Sequence, residues 1–168
     1  MTPLAELLVA LDGGGTFPGG SPLHETMHRV SQEALRLTVE LNGGYHEPSR
    51  VCELLTELTG RPIAEAVTAF PPPTTGFGKN LTIGERVFVN SGCRFQDPGG
   101  ITIGDNAVVA AASVVPRDVP ADALVVGSPA RARSPTDAPP GASGYPVASG
   151  AISRSIHTAS SSVTSRRS

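Results

Sequence analysis

Aromatic side chains are scarce in this 168-residue chain, at 4%, whereas glycine and proline are plentiful, at 19 and 16 residues. That balance leans away from a conventional mixed domain and toward turns, repeats and disorder. An excess of either charge is also missing. The formal net charge of -2 gives no electrostatic reason to expect a nucleic acid or an anionic membrane as partner. Only two cysteines occur, Cys52 and Cys93. They match no metal-ligand spacing and are too few for a disulfide framework, so the expected setting is a reduced cytoplasm, with no metal and both thiols as small half-buried fillers. No run approaches the roughly 18 apolar residues of a membrane span. Residues 1 to 11 are apolar, but no Lys or Arg precedes the run, which favours a short helix or a frayed end over a signal peptide. Gly13-Gly14-Gly15 follows no strand and leads into no GK[ST], so it reads as a flexible linker rather than a phosphate loop. Asn80-Leu81-Thr82 has the form of a glycosylation acceptor, which carries little weight without a secretory signal.

Two helices are signposted next. Ser21 stands as N-cap before Pro22 at the first helical position, and Met27, Val30, Ala34, Leu37 and Leu41 share one face. Asn42-Gly43-Gly44 ends this helix. A second starts at Pro48 and presents Val51, Leu54, Leu55 and Leu58 before Gly60 and Pro62 stop it. The pair forms an arm over residues 21–73, preceded by a flexible N-terminus over 1–20, and the Pro71-Pro72-Pro73 run marks its end.

An internal repeat follows. LTIGERVFVNSGCRFQDPGG, beginning at Leu81, lies over ITIGDNAVVAAASVVPRDVP, beginning at Ile101, with a shared T-I-G core. Aliphatic or aromatic residues recur every six positions, Ile83, Val89 and Phe95 in one copy and Ile103, Val109 and Val115 in the other, with Val87, Cys93, Ala107 and Ser113 four further on. A six-residue period is neither helical nor the alternation of a hairpin, and it predicts a parallel β-helix in which each hexapeptide gives one strand and one turn. The alternative is a pair of glycine-rich hairpins. On the β-helix reading Gly84, Asn90 and Gly104 turn the chain through positive φ, two coils are complete, and Pro98-Gly99-Gly100 is a small loop.

The stretches LTVELNGGYHEPSRVCELLTELTGRP, FGKNLTIGERVFVNSGCRFQDPGGITIGD and NAVVAAASVVPRDVPADALVVGSPAR resemble the hexapeptide-repeat sugar O-acetyltransferases of the maltose and galactoside group, over residues 23 to 131. The resemblance implies a mainly β fold, a short left-handed parallel β-helix behind a two-helix N-terminal arm, with the β-helix over 74–133. It also implies a homotrimer with sites between subunits, acetyl-CoA as co-substrate and a sugar or other hydroxylated small molecule as acceptor.

On the same resemblance Asn90 and Asp97 match acceptor-binding positions, and Ala111 and Arg131 match coenzyme-binding ones. Asn90 reads equally well as a turn residue and Asp97 as a loop cap. Pro116 and Ser134 stand where the family has hydroxyl and basic residues, and Arg133 offers a substitute for the second basic residue of the cofactor site. Family members have further coils between Asp105 and Asn106, including a T-x-x-H loop whose histidine is the general base. None of His24, His28, His46 and His157 lies in such a setting, so no catalytic residue is assigned. His46 follows Tyr45 in a G-Y-H that the family shares in its arm. Residues 134–168 are rich in Ser, Pro, Ala and Gly and are expected to form a disordered tail. The expected function is an acetyltransferase weakened by loss of its base, with a non-catalytic β-helix or a truncated oligomerisation module as alternatives.

Overall fold

The computed structural model describes residues 1–133; the tail expected over 134–168, with His157 and Ser134, lies outside the described residues. Three helices come first: α1 (Pro3–Asp12), α2 (Pro22–Asn42) and α3 (Pro48–Thr59). Thr2 and Ser21 cap the first two, their hydroxyls accepting from the N–H groups of Ala5 and His24 at 3.3 Å each, and a proline opens every one. Gly60, at φ 71, ends α3.

The N-terminal stretch is helical over Pro3–Asp12, the short helix being one of the two readings of residues 1 to 11, inside the segment taken as flexible over 1–20. Leu7 explains it. Its side chain is fully buried with Val30 of α2 and Phe77, flanked by Leu4, Leu8 and Leu11, so tertiary packing orders a helix too short to persist alone. Gly13 and Gly14 belong to its C-terminal turn, donating to Val9 and Leu11 carbonyls.

Ten short strands follow: β1 (Thr68–Ala69), β2 (Thr74–Thr75), β3 (Leu81–Ile83), β4 (Phe88–Val89), β5 (Arg94–Phe95), β6 (Ile101–Ile103), β7 (Val108–Val109), β8 (Val114–Val115), β9 (Leu124–Val126) and β10 (Arg131–Arg133). They stack as three sheets, β1-β4-β7-β9-β10, β2-β5-β8 and β3-β6. Each partner lies one 20-residue turn along the chain: Thr68 with Phe88 with Val108, Thr74 with Arg94 with Val114, and Leu81 with Ile101. Every pairing among these is parallel, which makes the stack a β-helix. The last turn is shorter, since Val108 pairs with Leu124 and Ile103 bridges Val119.

Three differences from the sequence reading have clear causes. Strand β1 precedes the proline run, so the first rung begins inside the segment read as arm, while β2 and β3 fall within the expected 74–133, and the stack holds a rung more than the two aligned copies suggested. Its short polar strands carry little of the aliphatic period that marked the copies. The second difference concerns the turns. Positive φ falls on Arg86, Gly92, Asn106, Ala112 and Asp122, two places beyond Gly84, Asn90 and Gly104. Glycine at 84 and 104 answers a lack of room instead: a Cβ on Gly104 would sit 2.8 Å from Ala121 Cα, and one on Gly84 2.8 Å from Asp105 N. The third is at the end, where β10 turns back antiparallel to β9.

Val89, Phe95, Ile103, Val109 and Val115 point inward and are buried, as are Val87, Cys93, Ala107 and Ser113; Ile83 is half-buried against the same core. Helix α3 closes the first rung, with Leu54, Leu55 and Leu58 in one cluster with Val67, Ala69, Leu81 and Val89. An exposed stack end is a liability, and the arm removes it here. At the other end Ala130 donates its N–H to Val114 O at 2.7 Å, folding the β9–β10 turn across the last rung.

Candidate functional site

The corner between the first and second sheets is built from residues that follow β4 and β7. Asn90 leaves β4 with its N–H donating to Val109 O at 2.9 Å, and its Oδ1 accepts from Ser91 N at 2.8 Å. One rung on, Ala112 N–H donates to Ser91 O at 2.9 Å, which seats the exposed Ala111 directly beside Ser91. Asn90 and Ala111, matched separately to acceptor and coenzyme positions, thus occupy neighbouring rungs of one corner. The Asn90 side chain is also a turn cap, so the two readings of it are compatible.

Asp97 lies elsewhere. It follows β5 at the next corner, is fully buried, and accepts a hydrogen bond from the Thr75 hydroxyl. Burial pushes its carboxyl above the ordinary 3.8, opposed by Thr75 and by the N–H groups of Asp97, Gly78 and Phe77. Its Oδ2 is buried with no hydrogen-bond partner. Thr75 was missed in the sequence, although the 20-residue register that pairs it with Phe95 was there to be counted.

The raised value gives Asp97 a sign in pH dependence. A carboxyl held above its unfolded value binds its proton more tightly when folded, so its ionisation weakens the fold as pH climbs from below 3.8 through the folded value. Asp97→Asn should therefore gain on wild type in urea denaturation as pH rises from the acid side toward neutrality. A gap that narrows with rising pH would mean that the surrounding donors outweigh burial.

Arg131 opens β10 at the far end, exposed, with Nη1 donating to Ala130 O at 3.1 Å. It lines a hollow of 150 Å³ with Pro116, Arg117, Asp118 and Val119. Asp118 stitches the short last turn by accepting from Thr102 N at 2.7 Å; neither it nor Arg117 was singled out in the sequence. Arg133, on the same strand, is exposed.

Acid–base candidates are sparse on this surface. Among the described residues the histidines are confined to the helical region. His24 accepts from Gly20 N at 3.2 Å through Nδ1, and His46 Nε2 lies 2.8 Å from Glu40 O. Both cysteines are poor nucleophiles: burial raises the Cys93 thiol against bonds from its neighbours, and burial and then Glu65 raise Cys52. Among the described residues no cluster of three metal-ligating side chains occurs. Asn80, the glycosylation-like asparagine, is buried and donates to Asp12 Oδ1 at 2.9 Å and Pro98 O at 3.1 Å. No helix among the described residues is long and apolar enough to cross a membrane.

In architecture, a short left-handed parallel β-helix behind helices, the chain is similar to solved structures of hexapeptide-repeat acetyltransferases. Among solved structures of that class, a maltose O-acetyltransferase from Clostridium difficile 630 aligns with a TM-score of 0.52 and 20% identity over 75% of this chain and 95% of its own. A galactoside acetyltransferase in complex with coenzyme A aligns at 0.50 and 18%, over 80% and 91%. In sequence, the bifunctional protein GlmU of Geobacter sulfurreducens is 48% identical over 52 residues, 30% of this chain and 10% of that protein. The galactoside O-acetyltransferase of Escherichia coli K12 is 39% identical over 54 residues, 32% of this chain and 23% of that protein. The chain thus spans between a tenth and about a quarter of the curated relatives it matches. No protein-family profile matches it.

Proposed function

We propose that the chain is an acetyl-CoA-dependent sugar O-acetyltransferase of much reduced turnover. The observation that carries this reading is the corner at which Asn90 and Ala111 stand on adjacent rungs, because acceptor and thioester must lie side by side for transfer. Asn90 offers an amide to an acceptor hydroxyl, Ala111 its exposed backbone to the pantetheine arm, and Arg131 a cation to the phosphorylated end of the cofactor. In the reaction the sugar oxygen attacks the thioester carbonyl, the carbon–sulfur bond breaks, and coenzyme A leaves with the proton the hydroxyl gives up. Supplying a base for that proton is the weak point, since the described histidines sit in the helical arm. The solved relative named with coenzyme A supports the choice of co-substrate. The family resemblance of the sequence supports a homotrimer, and the two unpaired cysteines suit a reducing, cytoplasmic setting.

Calorimetric titration with acetyl-CoA tests the reading. Weak saturable binding is expected, with affinity reduced further in Arg131→Ala; no binding at any concentration overturns it. A second reading, a β-helix that binds acyl-CoA without turnover, is favoured by the absence of histidine from the described strands. Binding without any acetylated product would select it.

A further inference from the structure

Helix α1 is tied to the β-helix at two points, and both lead to residues adjoining Asp97 or its partner Thr75. At its middle, Leu7 is buried against Phe77. Phe77 belongs to the loop after β2, whose N–H groups at Phe77 and Gly78 lie 3.4 and 3.3 Å from Thr75 Oγ1, the hydroxyl that donates to Asp97. At its end, Asp12 Oδ1 accepts from Asn80 Nδ2, and the same amide donates to Pro98 O, next to Asp97 in the chain. The helix thus meets the 75–80 loop at Phe77 and Asn80, Asn80 in turn bonds the 97–100 loop at Pro98, and the Asp97 carboxylate held by Thr75 is fully buried.

The connection to α2 is built to bend. Gly13, Gly14, Gly15, Gly19 and Gly20 lie between the two helices; Gly14 and Gly20 have φ of 66 and 78, and no atom lies within 4 Å of where a Cβ would stand at Gly14, Gly19 or Gly20. From this linker only Phe17 rests on the apolar cluster beneath α1. A ten-residue helix on such a linker keeps its place through its contacts alone. Asp97 Oδ2, which makes no hydrogen bond of its own although Thr75 donates to Oδ1, supplies the second element, an acceptor atom held shut with its capacity unfilled.

We propose that α1 is a hinged strap that closes over the Asp97 carboxylate, and that its release uncovers this acceptor to a hydroxylated ligand. The identity of that ligand rests on the acetyltransferase reading; the strap does not. Opening requires Leu7 to leave both Phe77 and Val30 of α2, and Asp12 to leave Asn80, with no rung of the β-helix disturbed.

Amide hydrogen exchange on the full chain tests it, with Leu7→Glu to undock the helix and Asp12→Ala, at an exposed position, to remove only the clasp. Exchange over residues 75–80 and 97–100 is expected to rise in Leu7→Glu by about 10- to 100-fold, the factor that one buried leucine supplies. Asp12→Ala should give a smaller rise over the same residues, and both variants should leave residues 108–126 as in wild type. Unchanged exchange over 97–100 in both variants overturns the strap. So does an equal rise over 108–126, which would make α1 a part of the global fold. Because the readout is independent of acetyl-CoA, failure of the acetyltransferase reading leaves the result intact.

Discussion

Gly104→Ala is expected to lose about 3 kcal/mol of stability, at the upper end of what overpacking a tight interior does. The methyl group would meet Ala121 N and lie 2.8 Å from Ala121 Cα and 2.9 Å from Pro120 C. All three are backbone atoms of the next turn, so no side chain can swing aside and the rungs themselves must part. Two other glycines calibrate the result. Gly92 has φ 77 but its nearest neighbours are at 3.7 Å, so Gly92→Ala should lose only the left-handed backbone cost of about 1–2 kcal/mol. Gly99 has open space around it and no positive φ, and Gly99→Ala should be close to neutral. Urea denaturation followed by circular dichroism gives the order directly. A Gly104 variant no worse than the Gly92 variant would refute close stacking as the reason for glycine at that place.

Acetyl transfer to galactosides, maltose and glucose should run on the order of 10²- to 10⁴-fold below an intact homologue, the usual contribution of a general base. A sugar hydroxyl is a poor nucleophile at neutral pH, and the Asn90–Ala111 corner places no imidazole among its described neighbours. His46→Ala should leave the residual rate unchanged, because His46 Nε2 is engaged with Glu40 O at 2.8 Å within the arm. Turnover within tenfold of the homologue would sink the expectation. Were that turnover then lost in His46→Ala, the arm histidine would be the replacement base.

The parts of the fold that were legible are those written in the six-residue period. Val89, Ile103, Val109 and Val115 face inward because a short strand and a turn repeat in register, and the small residues at Cys93, Ala107 and Ser113 fill the narrow corners between them. Leu54 and Leu58 were legible for the same kind of reason, a helical face with nowhere else to go. Helix α1 was legible only as one of two readings, a short helix or a frayed end, since what decides between them is Leu7 meeting Phe77 across the chain, and no local signal announces that contact. The first rung was hidden because β1 and β2 consist mostly of threonine. The role of Gly84 and Gly104 was misread because positive φ and close approach both select glycine, and only coordinates separate them. At the candidate site, the Asn90–Ala111 neighbourhood follows from counting one turn of the repeat, whereas the burial of Asp97 depends on a loop and a helix that lie outside that count.

The polar turns carry one more consequence. Arg86 Nε donates to Asn106 Oδ1 at 2.7 Å, and Asn106 Nδ2 donates to Asp122 Oδ1 at 2.9 Å, all three residues having left-handed backbones. Each turn thus offers its neighbour the same socket, and backbone bonds span the same stretch, from Gly84 N–H to Ile103 O at 2.8 Å, Asn106 N–H to Glu85 O at 2.9 Å and Phe88 N–H to Ala107 O at 2.9 Å. In a solenoid whose units touch only their neighbours, such interchangeable couplings let whole turns be spliced in or out with no scar in the geometry. The number of turns is then free to vary in descent while the stack stays well formed.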